Sequence, residues 1–215
     1  MTRFIIVRHG QSEANKAEVF VGHKDAGLSE LGFRQAELVA DELVRERTKI
    51  DKIYASDLNR AFHTVSPYAE RVGKTVIKDR FLREIYAGRW EGHHFDELPV
   101  LYPQSYGIWK NDIGACVCDG GESVAELYKR INAEIDRIAA ANGGKTILIG
   151  THATPIRCII ARAKGVGVGG MQELGWVGNA SINEFEWENG EITAVRLNYT
   201  NHLGTLHTEF TKGSV

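Results

Sequence analysis

Cysteine is scarce, three in 215 residues (Cys116, Cys118 and Cys158), and so odd and sparse a set excludes a disulfide framework. Cys116 and Cys118 stand two apart with no second pair elsewhere, so they lack the partners of a zinc site and read as loop cysteines. No metal is expected. Excess charge of either sign is also missing: 26 basic against 28 acidic residues leave a formal net charge of -2. That balance excludes general attraction to nucleic acid or to an anionic membrane, so any cationic site must be local. No apolar run reaches bilayer length, and the start "MTRFIIVRHG" has too short an apolar core, and no small-residue cleavage site, for a signal peptide. The expected compartment is the cytoplasm. There is no internal repeat and no second composition regime, and 43% hydrophobic with 25% charged content suits a globular chain. One domain over 1–215 is the expectation.

What is present alternates. Short β-branched runs, "RFIIV" from Arg3, "KIYAS" from Lys52, "TVIK" from Thr75 and "TILIG" from Thr146, are separated by longer helical patterns. That is the signature of an α/β layer fold with a largely parallel sheet, the first and last runs being its buried centres. The segment from Ser29 sets Leu31, Ala36, Val39, Ala40 and Leu43 on one helical face. From Ser123 a capping box with Glu126 opens a second helix, Val124, Leu127, Ile131, Ile135 and Ile138 form its stripe, and Gly143 is its predicted stop. Two alternating segments about Asn189 and Gly190 predict a hairpin closing one sheet edge. The stretch from His93 to Gly121 is irregular and reads as an insertion over one mouth of the domain.

In open α/β sheets ligands bind outside the carboxyl ends of the strands. After the four runs come Arg8, His9 and Gly10; Ser56, Asp57 and Arg60; Arg83 and Glu84; and Thr151, His152 and Thr154. Thr154 followed by Pro155 fits a helix N-cap, which would place His152 beside a helix N-terminus, where backbone N–H groups favour an anion such as phosphate. Taken singly, each has a plainer reading: a solvent-facing basic pair, a solvated helical arginine, a histidine that packs. Together, two histidines, arginines and a carboxylate suit phosphoryl transfer. Guanidinium forks stabilise the equatorial oxygens, a neutral imidazole attacks phosphorus, and a protonated carboxyl supplies the leaving oxygen with its proton.

Those residues carry a resemblance. "RHGQSEAN", "SDLNRAFHT", "LREIYAGRWEG" and "GTHATPIR", in that order, resemble the histidine phosphatase superfamily, the phosphoglycerate mutase-like proteins, from Arg3 to about Asn198. "VGHKDAGLSELGFRQAE" is similar to the family's stretch after the first motif. The resemblance implies a three-layer α/β/α sandwich with a mostly parallel central sheet, and the insertion at about 93–121 covering the active site. It implies His9 as nucleophile, Arg8, Arg60 and His152 around the phosphate, Glu84 as proton donor, and Asn15, Ser12 and Ala153 at the substrate. No cofactor and no metal are implied. Two positions depart from the family pattern: Ala153 stands where glycine is usual, and His23 replaces a small or polar residue, in a surface or a supporting role.

A mutase would need further cations for a substrate carboxylate, and His93 to Gly121 offers only Lys110, His93 and His94. "GRWEG" after Glu84 also resembles the phosphatase branch. Hydrolysis of a small phosphate monoester is therefore the leading expectation, a cofactor-dependent phosphoglycerate mutase the alternative, and a non-catalytic phosphate-binding regulator a third reading that the retention of His9 and Glu84 disfavours. Trp90, Tyr102, Tyr106 and Trp109 are open to two readings, cover for an alcohol moiety or packing anchors. The hairpin is either a free edge or the pairing surface of a homodimer.

Overall fold

A strand covered on both faces must be apolar at every position, as Phe4, Ile5, Ile6 and Val7 are. In the computed structural model, which describes residues 1–46 and 49–208, they form the middle of β1 (Thr2–Arg8). The six-stranded sheet runs β3-β2-β4-β1-β5-β6, with β2 (Lys52–Ala55), β3 (Val76–Lys78), β4 (Thr146–Thr151), β5 (Ile182–Glu188) and β6 (Glu191–Tyr199). The first four strands in that order pair in parallel, while β5 lies antiparallel on β1 and β6 antiparallel on β5. As the residue pattern implies, β1 and β4 are central. The hairpin closes one edge, and its turn at Asn189 and Gly190 has positive φ at both positions, 51° and 88°.

Helices α1 (Glu13–Lys16), α2 (Glu30–Arg45), α3 (Asn59–Arg71), α4 (Leu98–Leu101), α5 (Pro103–Asn111), α6 (Val124–Ala140) and α7 (Ala153–Ala163) connect the strands. Strand alternation assigns them to layers. Ile5, Val7, Ile53 and Leu148 face one way and pack with Leu43 of α2 and Val65 of α3. Phe4, Ile6, Ile147 and Ile149 face the other way and pack with Ile135 of α6 and Ile159 of α7. The result is the expected α/β/α sandwich. Helix α6 carries its capping box, Ser123 Oγ accepting from the Glu126 N–H at 3.1 Å and Glu126 Oε2 from the Ser123 N–H at 2.9 Å. It ends at Ala140, before the predicted stop at Gly143.

The segment from His93 to Gly121 is more ordered than its sequence suggests. It holds α4, α5 and a 3₁₀ turn at Ile113–Ala115, and its Leu98, Tyr106, Trp109, Ile113, Cys116 and Cys118 are buried in the same core as α6. Both helices are short, and α5 carries Gly107 in its middle, so no sustained amphipathic period announces them. Cys116 and Cys118 do lie outside helices and strands, but as buried thiols, with Cys116 Sγ 3.5 Å from the Ser105 carbonyl. Among the described residues no helix is long and apolar enough to cross a membrane.

Candidate active site

Parallel strands carry the residues beyond their carboxyl ends to one edge of the sheet. Because Arg8 pairs with Thr151 across β1 and β4, the next residues, His9 and His152, stand side by side, with ring centroids 5.2 Å apart at 62°. Ala55 of β2 pairs with Gly150, which brings Ser56 beside them, its Oγ 2.9 Å from His152 Nε2. Arg60 enters from the first turn of α3. Glu84 comes after the 3₁₀ turn at Arg80–Leu82, its Oε1 accepting from the Ile85 N–H at 2.9 Å and its Oε2 from the Thr154 N–H at 3.3 Å. The last contact shows how α7 begins. His152, extended at φ -127°, is the N-cap and makes no side-chain cap bond, whereas Thr154 and Pro155, expected to open the helix, already lie in its first turn. The chain turns there because β4 runs on to Thr151, and the uncapped N–H groups are left to the carboxylate.

Arg8, His9, Arg60 and Glu84 line one pocket, with an empty volume of ≈ 540 Å³, and His152 is fully buried against His9. His9 Nδ1 lies 2.7 Å from the Gly10 carbonyl, which can only accept. Nδ1 therefore carries the hydrogen and Nε2 keeps the lone pair. Burial, reinforced by Arg60 and Arg8, holds the His9 pKa well below the ordinary 6.5, so the ring is neutral at pH 7. His152 is depressed in the same way, by burial first and then by Arg60, His9 and Arg8. Its buried Nδ1 has no hydrogen-bond partner among the described residues. Burial pushes Arg8 and Arg60 down to about 10 each, against the opposing pull of Glu84, and both remain cations at neutral pH. Arg60 donates to the carbonyls of Gly22 at 2.7 Å and Lys24 at 3.1 Å, and Arg8 to the carbonyl of Val177.

The loop that bears His9 is braced from several sides. Thr64 Oγ1 accepts from the Gly10 N–H at 3.0 Å, and Gln35 Oε1 from the Gln11 N–H at 2.8 Å. Gly10 and Gly32 touch backbone to backbone; a Cβ on Gly32 would sit 2.0 Å from the Gln11 carbonyl oxygen. Glycine and glutamine at the start of α2 therefore support the loop that bears His9. Ser12 is buried and caps α1, its Oγ accepting from the Asn15 N–H at 3.1 Å. Asn15 Oδ1 accepts from the Ser12 N–H at 3.1 Å and from Asn179 Nδ2 at 3.2 Å, bonds that do not engage its amide NH₂. Ala153 lines the pocket at the start of α7. His23 is half-buried and not merely superficial: its Nε2–H donates to the Glu84 carbonyl at 2.8 Å, and Arg130 Nη2 donates to the same oxygen at 3.1 Å. Together they fix the backbone from which the carboxylate projects.

Sequence reasoning passed over Asn179, Trp176 and Phe95. Asn179 donates to the His9 carbonyl at 2.9 Å, and Trp176 and Phe95 line the pocket. The signal lay in topology. An antiparallel strand presents its beginning where parallel neighbours present their ends, so residues just before β5 emerge beside His9. Of the four aromatics singled out in the sequence, Trp109 lines the pocket, while Trp90, Tyr102 and Tyr106 pack beside it in the core.

Known proteins are similar to this chain in sequence and fold. A family model described as histidine phosphatase superfamily (branch 1) matches residues 4–200. Phosphoserine phosphatase 1 of Hydrogenobacter thermophilus is 32% identical over 209 residues, covering 97% of this chain and 98% of its own. Phosphoglycerate mutase-like protein 4 of Arabidopsis thaliana is 33% identical over 195 residues, 90% of this chain and 83% of its own. The solved structure of a mycobacterial glucosyl-3-phosphoglycerate phosphatase complexed with VO3 superposes with a TM-score of 0.84 at 27% identity, over 92% of this chain and 99% of that one.

Proposed function

The chain belongs to the histidine phosphatase superfamily and is a phosphatase of that kind, and from this premise we propose that it hydrolyses a small phosphate monoester through phosphohistidine at His9, without a metal ion. The observation that carries the reading is the hydrogen bond from His9 Nδ1 to the Gly10 carbonyl, which leaves Nε2 as an unprotonated nucleophile beside two buried guanidinium groups. Nε2 attacks phosphorus, the bond to the alcohol oxygen breaks, and the Glu84 carboxyl gives that oxygen its proton. Arg8 and Arg60 hold the equatorial oxygens, His152 supports the same phosphate, and the Asn15 amide donates to substrate. In the second half Glu84 takes a proton from water, whose oxygen displaces Nε2 and releases inorganic phosphate.

Rapid quenching with a phosphate ester, chelator present throughout, tests this. Phosphate is expected on His9 in the quenched protein, and His9→Ala is expected to abolish turnover. Label on another side chain, or turnover that the substitution leaves intact, removes the proposed nucleophile.

A further inference from the structure

The pocket is chemically divided. Its phosphate end holds Arg8 and Arg60, and among the described residues that line it these are the cations. Ser12, Asn15, Glu84 and Thr154 add uncharged or acidic polar groups, and a separate wall is apolar: Val19, Phe20 and Val21 from the loop after α1, Phe95 and Trp109 from the segment between β3 and α6, and Trp176 from the approach to β5. The rings form a framework. Phe20 meets Phe95 edge-on at 5.6 Å and Trp109 at 5.5 Å, so this wall is preformed.

A phosphate monoester near its dianionic form uses the charge of both guanidinium groups. Nothing of positive charge in the lining then remains for the alcohol. Arg157 is buried beside Trp176 but does not line the pocket, and its Nη2 donates to the carbonyls of Met171 at 2.8 Å and Leu174 at 3.2 Å. The acidic group in the lining, Glu84, offers a second anion no positive charge either. A carboxylate on the alcohol would be stripped of water against valine and aromatic carbon with no counter-ion. An uncharged ring or hydrocarbon would bury its surface there.

Resting on the hydrolase reading, we propose that the physiological ester is that of an uncharged alcohol with an apolar, ring-sized body seated among Val19, Phe20, Val21, Phe95, Trp109 and Trp176, and that esters of carboxylate-bearing alcohols are poor substrates. This departs from two of the relatives, whose names specify phosphoserine and glucosyl-3-phosphoglycerate.

The experiment compares kcat/KM of the unmodified protein for benzyl phosphate with that for O-phosphoserine and 3-phosphoglycerate. All three are alkyl esters, and benzyl alcohol is not the better leaving group, so a preference for it reports binding of the alcohol. Benzyl phosphate is expected to be favoured by at least about tenfold; equal or reversed values overturn the proposal. Val19→Lys, at a half-buried position, is expected to raise the ratio of 3-phosphoglycerate to benzyl phosphate turnover about tenfold. An unchanged ratio in a folded variant overturns it too, and should the variant not fold, the comparison in the unmodified protein decides. His9→Ala is assayed beside them: turnover that this variant loses, with no preference among esters in the unmodified protein, sinks the substrate class alone, whereas turnover that the variant retains removes His9 as nucleophile and sinks the phosphohistidine reading.

Discussion

Glu84 is asked to be an acid in one step and a base in the next, and its surroundings bear on both. Its oxygens accept from the N–H groups of Ile85 and Thr154, and its carbonyl is held by His23 and Arg130. Glu84→Gln keeps most of that geometry and removes the proton. Hydrolysis of benzyl phosphate should fall roughly 10²- to 10⁴-fold, and the phosphorylation step with p-nitrophenyl phosphate far less, because a good leaving group needs little protonation. Equal losses in single-turnover measurements would count against Glu84 as the donor. The two histidines make a second prediction. Unfolded, each binds a proton below about pH 6.5, whereas folded, His9 and His152 stay neutral well below it. The unfolded state then binds more protons, so stability falls as pH drops below 6.5. At pH 5.5 the loss is on the order of 1 kcal/mol per histidine. Denaturant midpoints between pH 7 and 5.5 read it directly, and His152→Asn should flatten the slope while His202, also depressed by burial, still contributes. A slope that His152→Asn leaves unaltered would contradict neutral burial at that position.

At the scale of elements, the start of α2 matters more to chemistry than its distance in sequence suggests. Gly32 lies against Gln11, and a methyl group there would stand 2.0 Å from a carbonyl oxygen that cannot retreat without moving Gly10 and His9. Gly32→Ala should cost about 1–3 kcal/mol of stability and lower kcat as well. Gly27→Ala is the matched control, since nothing lies within 4 Å of its added Cβ and it should change stability by less than about 0.5 kcal/mol. Thermal unfolding and initial rates on both variants separate overpacking from a generic effect of replacing glycine.

For the molecule as a whole, residues 8, 60 and 152 converge only in the folded state, so a phosphate ion held among them must stabilise it. At about 100 times its Kd, phosphate should add roughly 3 kcal/mol, a rise of several degrees in Tm. Arg60→Ala should remove most of that rise; an undiminished shift would place the anion elsewhere. Much of this architecture was legible beforehand. Uniformly apolar "FIIV" and "TILI" announced central strands, the capping box at Ser123 announced α6, and the rule that ligands gather at carboxyl strand ends collected His9, Arg60, Glu84 and His152. Other parts were hidden for physical reasons. Helices α4 and α5 are too short to display a period, and their burial is decided by contacts with Phe20, Trp90 and α6 that no local pattern encodes. Asn179 joins the site through the reversal of β5, which is a property of topology and not of its neighbours in sequence.

The position of β1 between β4 and β5 bears on how the protein comes into being. His9 follows directly on β1 and is synthesised well before the strands that flank β1, which begin at Thr146 and Ile182. At about 5–20 residues per second of translation, His9 waits many seconds for its neighbours. Throughout synthesis the nascent polypeptide thus carries reactive chemistry that it cannot yet use, and competence arrives late and all at once, when the last strands close around the first.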